Sequence, residues 1–163
     1  MIFVQQKMLL SLYHALVASR LSYGLACWGG TYVSTLYPLK ILQKSFLRII
    51  TKSHRFSPSC PIFLQLKVLP IRNMYVFKVL RIFFIRSSSD MLQDRYVLRR
   101  MLFKVPYTRL TVCQQFFTWN APRIYNLVSV RLSKYTNLNQ FSKLLKIFLF
   151  TKSDCEEFLK IVV

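Results

Sequence analysis

Acidic residues are scarce in this chain of 163 residues. Asp and Glu number 5 against 24 Lys and Arg, a formal net charge of +19, and Asp90 is the first acid met from the N-terminus. The first half therefore holds no carboxylate side chain to pair with its cations. A compact domain so charged repels itself unless a polyanion shares its surface, and nucleic acid is the usual candidate, with an anionic membrane as competitor. Glycine is nearly absent at 3 residues, and neither G-x-x-x-x-G-K nor G-x-G-x-x-G occurs, which excludes glycine-rich loops that cradle phosphates. With only His14 and His54, and no glycine-flanked serine to match, a Ser–His–acid hydrolase is disfavoured. Asp90 and Asp94 are the one mid-chain carboxylate pair and sit in a polar stretch, a poor place for two catalytic metals. The four cysteines, Cys27, Cys60, Cys113 and Cys155, are isolated; neither a zinc site nor a redox motif is expected, and reduced thiols are the default. No secretory signal is visible, and no uncharged run free of Gly and Pro is long enough to span a bilayer. The expectation is an intracellular, non-enzymatic protein with no cofactor and no transmembrane segment, in the nucleus or cytoplasm.

Apolar residues, by contrast, are abundant: 53% hydrophobic and 15% aromatic, enough for a packed core. Their spacing predicts a mainly α fold. A first amphipathic helix is expected over about Gln6–Leu21, with Met8, Leu9, Leu12, Leu16 and Val17 inward. Trp28-Gly29-Gly30 reads as a turn with close backbone approach, Trp28 serving as a core anchor. A basic helix follows from about Thr35 to Lys52, capped by Ser34 or Thr35, with Pro38 in its first turn. Its apolar residues are Leu39, Leu42, Phe46, Leu47, Ile49 and Ile50. Further helices are expected from near Pro61, over Arg72–Arg86, from Asn120 to about Val128 and from Asn137 to about Phe150. Val105–Trp119, rich in Thr, Val and Phe, reads as one or two extended segments. Ser153 and Glu156 form a capping box in the tail. Ser87-Ser88-Ser89-Asp90 reads as a linker. The organisation expected is a helical, thumb-like bundle over 1–88, a linker over 89–94 and a smaller α+β segment over 95–163 with one or two short strands.

The basic helix carries the sharpest signal. Lys40, Lys44, Arg48 and Lys52 recur every four residues, so they form one slowly winding ridge, and Arg55 extends the charge into the next loop. Each of these five is a candidate phosphate contact, and Tyr32, Tyr37 and Phe56 lie near enough in sequence to add stacking. The same basic and aromatic faces would also suit a peripheral membrane or scaffold protein on anionic lipid.

Two stretches carry a family pattern. LYHALVASRLSYGLACWGGTYVSTLYPLKILQKSFLRIIT resembles the region downstream of the polymerase domain in non-LTR, jockey-like LINE retrotransposon reverse transcriptases. That region reads S-x-L-x-Y-G, a W-G turn, then L-x-x-L-Q-(K/N)-x-x-(I/L)-R-x-I. Ser19, Leu21, Tyr23, Gly24, Trp28, Gly29, Leu42, Gln43, Lys44, Arg48 and Ile50 match it. Further on, Pro122, Tyr125, Asn126, Leu138, Phe141, Lys143, Leu144, Lys146 and Leu149 are similar to the family's C-terminal end. The resemblance implies a non-catalytic thumb and C-terminal fragment of an RNA-directed DNA polymerase. Its partners would be RNA or an RNA–DNA duplex, gripped by the backbone, together with the polymerase domain that bears the catalytic aspartates. It departs from the pattern at Cys113, where a glycine is common, and in a short linker at Asp90, as in a degenerate element copy or pseudogene product.

Overall fold

A computed structural model describes residues 5–89, 95–97, 101–132 and 137–151. The Asp90–Asp94 pair, Cys155 and the Ser153–Glu156 capping box lie outside them. The fold is mainly helical. Helix α1 (Gln6–Leu12) runs directly into a π-helical segment (Tyr13–Ala18) and then α2 (Ser19–Ser22). A one-turn helix α3 (Leu25–Trp28) leads to α4 (Val33–Thr51), α5 (Ser59–Gln65) and α6 (Ile71–Ser89). Strands β1 (Arg95–Val97) and β2 (Met101–Phe103) pair antiparallel, Tyr96 opposite Leu102. A 3-10 turn (Cys113–Gln115), α7 (Phe117–Leu132) and α8 (Leu138–Thr151) complete the order.

Two clusters of buried side chains hold these elements. The smaller joins the N-terminal helix to α4 and α5 through Tyr13, Leu47, Ile50, Ile62, Phe63, Leu66 and Val68. The larger is built on α6, whose Tyr75, Val76, Val79, Leu80, Phe83 and Phe84 meet Leu25, Ile124 of α7 and Phe141, Leu145 and Leu149 of α8. Phe84 stacks on Phe141 at 4.4 Å. Burying one such side chain contributes about 1.5–3 kcal/mol, so α6 is the axis of the molecule. Its cluster draws on residues from both sides of the 89–94 segment.

Several local expectations are corrected. The serines of the expected linker, Ser87 to Ser89, continue α6. Val105–Trp119 forms no strand: it holds the 3-10 turn and the start of α7, and the paired strands lie earlier, at Arg95–Val97 and Met101–Phe103. In the N-terminal helix, Met8, Leu12 and Leu16 are exposed, while Tyr13 is buried with Leu9, Leu10, Val17 and Ala18 beside it. The π segment, where Ser19 N–H donates to the His14 carbonyl, adds a residue to the turn and rotates the inward face away from the one that 3.6-residue spacing predicts. Helix α4 starts at Val33 without a side-chain cap, so Ser34 and Thr35 sit inside it and Pro38 is its sixth residue.

Other readings hold. The W-G turn is a close approach: a Cβ on Gly29 would come within 2.5 Å of the Leu25 carbonyl oxygen and of Tyr75 Cδ2. On Gly30 it would strike the Gln115 carbonyl. Trp28 packs against the larger core, its Nε1–H donating to the Tyr23 carbonyl at 2.9 Å. Asn137 opens α8, its Oδ1 accepting the Asn139 N–H at 2.9 Å.

Candidate nucleic-acid interface

The site is built on α4. Leu36, Gln43, Leu47 and Ile50 form its buried stripe, at steps of seven, four and three residues. Leu42, Phe46 and Ile49, expected inside, are instead exposed, Ile49 by 66%. The reason is the Gln at position 43. Its side chain lies in the core because three polar groups meet there: Nε2 donates to the Leu69 carbonyl and to Tyr13 Oη, each at 3.0 Å, and Oε1 accepts the Ile71 N–H at 3.0 Å. That amide turns the helix so that the stripe centres on Gln43, and the apolar arc seen in the sequence is split between core and solvent.

With that orientation the basic ridge winds from half-buried to exposed. Lys40, Lys44 and Arg48 are half-buried, and Lys52 and Arg55 are exposed. Arg48 departs from the expected role. Its Nε and Nη2 both donate to the Ser57 carbonyl, at 3.2 and 2.9 Å, so its fork holds the 52–58 loop against α4. Lys52 ends the helix in the left-handed region at φ 52°. Tyr32, Tyr37 and Phe56 are exposed, by 49%, 57% and 82%, and the Phe56 ring lies 5.5 Å from that of His54.

Lys78 is tied to structure as well. Its Nζ donates to the Ser22 carbonyl at 2.7 Å, placing a cation at the C-terminal end of the first helical run, where the backbone dipole is negative. All five acids of the chain, Asp90, Asp94, Asp154, Glu156 and Glu157, fall outside the described residues. Among the described residues no group of three His, Cys, Asp or Glu side chains is placed to hold a metal, and Cys27 and Cys113 are free thiols. Among the same residues no helix is long and apolar enough to cross a membrane.

Sequence reasoning missed Gln43 as a buried hub and Asn126 as a strand partner. The side chain of Asn126 accepts the Phe103 N–H at 2.9 Å and donates to the Phe103 carbonyl at 2.8 Å, copying a sheet ladder from a helix. The signal for Gln43 was a polar residue standing at the i, i+4, i+7 positions of an otherwise apolar stripe. For Asn126 no local signal exists, since its partner is 23 residues away. No family model, curated protein or solved structure matches this chain.

Proposed function

We propose that this chain is the thumb-like and C-terminal portion of a non-LTR, jockey-like retrotransposon reverse transcriptase, acting without catalysis of its own inside the cell. It holds RNA or an RNA–DNA duplex by the phosphate backbone and works beside a polymerase domain that carries the catalytic aspartates. The observation that supports this reading is the α4 ridge, Lys40, Lys44 and Lys52 with Arg55 beyond it, in a first half of the chain that has no acidic residue. Phosphate oxygens are the partners such single-sign charge recruits, and each contact made releases counterions. Arg48 contributes by fixing the loop that carries Arg55, and its charge adds to the field.

The test is the anisotropy of a labelled 20-mer RNA–DNA hybrid, titrated over a series of salt concentrations. Lys44→Gln together with Lys52→Gln should weaken binding by roughly tenfold or more and lower the slope of log K against log salt by about 2, since each phosphate contact accounts for about 0.9. An unchanged slope would remove these lysines from the interface. A second reading, attachment to anionic lipid, draws on the exposed flank of Leu42, Phe46 and Ile49. An interfacial helix carries cations on both sides of its apolar stripe, whereas on α4 they wind along one side only, which favours the nucleic acid. Flotation with phosphatidylserine vesicles in the presence of competing RNA separates the two.

A further inference from the structure

Where α6, β2 and α7 meet, the molecule holds a pocket of about 280 Å³ walled mainly by apolar groups. Phe83, Phe103, Phe117 and Pro106 line it, with Arg86 and Lys104 among the same lining residues. Its walls are preformed. The Phe83 and Phe103 rings meet edge to face at 4.9 Å, and Tyr125 closes on both, at 5.2 and 5.1 Å. The Asn126 amide clamps the Phe103 backbone from behind through both of its hydrogen bonds. The Arg86 guanidinium lies over the Phe117 ring, 5.2 Å from its centre, which orients that charge beside an aromatic wall. Pro122 adds a polar feature: it has no N–H to give the Thr118 carbonyl in the helix ladder, and both residues border the pocket.

We propose that this pocket binds an aromatic ring that carries one anionic group. The ring lies among the phenylalanines and Pro106, and the anion is held by Arg86 and Lys104. The volume suits a single base or a ring of that size, and base-on-aromatic stacking stabilises without regard to sequence. A free nucleotide and an unpaired nucleotide of a bound strand share this chemistry. The strand source rests on the nucleic-acid reading above, and the free-ligand source does not.

The test uses the full chain with ¹³C-labelled alanine methyls and AMP as probe. Ala121 borders the pocket, whereas Ala15 and Ala18, on the N-terminal helical run, do not. AMP should shift the Ala121 methyl while leaving Ala15 and Ala18 in place. Adenosine, which lacks the anion, and ribose 5-phosphate, which lacks the ring, should each bind at least tenfold more weakly. Arg86→Glu with Lys104→Glu should abolish the AMP shift, and Thr118→Trp, at an exposed position bordering the pocket, should block entry in a chain whose circular dichroism is unchanged. Adenosine binding as well as AMP, or an AMP titration that leaves Ala121 unmoved in the wild-type chain, overturns the proposal. A salt-dependent grip on the RNA–DNA hybrid that persists while Ala121 is silent to AMP refutes the pocket and leaves the phosphate interface standing. An AMP response in a chain that does not hold the hybrid supports the pocket and refutes the interface.

Discussion

Gln43 Oε1 accepts the Ile71 N–H at 3.0 Å, and this bond spans the two cores. Gln43 stands in α4 beside Leu47 and Ile50 of the smaller cluster, whereas Ile71 opens α6 in the larger one. The same side chain binds the Leu69 carbonyl and Tyr13 Oη, so three segments converge on one fully buried amide. Gln43→Leu keeps the volume but strands the Ile71 N–H and the Leu69 carbonyl away from water. Each unsatisfied buried group costs about 1–3 kcal/mol, so a loss of about 3 kcal/mol is expected in urea denaturation. A loss below about 1 kcal/mol would mean that the junction closes without the amide.

Much of the second half was legible because its helices obey simple periodicity. Phe141, Leu145 and Leu149 bury as the spacing of α8 requires, with Leu138, Leu144 and Phe148 partly covered beside them. The W-G turn was legible because adjacent glycines have few other uses. The inward faces of the first helical run and of α4 were not. A π segment shifts one and a buried glutamine turns the other, and an apolar moment assigns Leu42, Phe46 and Ile49 to the core with no sign of either. The basic ridge was visible as spacing. That Arg48 closes a loop was not, because the accepting group is a backbone carbonyl nine residues away, and carbonyls leave no mark in a sequence.

Two helices end alike, each on a lysine. After α4, the Lys52 N–H donates to the Ile49 carbonyl and the Ser53 N–H to the Arg48 carbonyl, at 3.2 and 2.9 Å. After α5, the Lys67 N–H donates to the Leu64 carbonyl and the Val68 N–H to the Phe63 carbonyl, at 3.1 and 3.0 Å. This paired pattern needs a left-handed residue at its centre, and both lysines adopt it, at φ 52° and 53°. A side chain with a Cβ costs about 1 kcal/mol there, which glycine avoids. Lys52→Gly and Lys67→Gly should each raise the denaturation midpoint by an amount equivalent to about 0.5–1 kcal/mol. Their effects on RNA–DNA binding should part: Lys52→Gly removes a phosphate contact, whereas Lys67→Gly stabilises and leaves the salt slope unaltered. A pair of variants that weaken binding equally would point to overall charge in place of the α4 ridge.

Tyr75 supplies a pH-dependent test of the larger core. Its hydroxyl is buried beside Gly30 with no well-formed hydrogen bond. Burial pushes its pKa up to about 12, and the nearby Asn120 amide opposes that rise in part. Burial also raises the pKa of Tyr13, against which the hydrogen bond from Gln43 works. Well below pH 10 both hydroxyls keep their protons whether the chain is folded or unfolded, so neither makes stability depend on pH there. Between pH 10 and about 12 the unfolded chain releases the Tyr75 proton while the native state keeps it, and stability falls with rising pH. The limiting slope is about 1.4 kcal/mol per pH unit for one group. Tyr75→Phe removes the ionisable group and an unpartnered polar atom together. At pH 7 the variant should match or exceed the wild type by up to about 1 kcal/mol. Above pH 10 the gap should widen in the variant's favour, because only the wild type has this proton to lose. Urea midpoints of the two proteins at half-unit intervals from pH 8 to 11.5 give that difference directly, with the lysine titrations common to both cancelling. A gap that stays flat through pH 11 would mean that the Tyr75 hydroxyl reaches water in the native state.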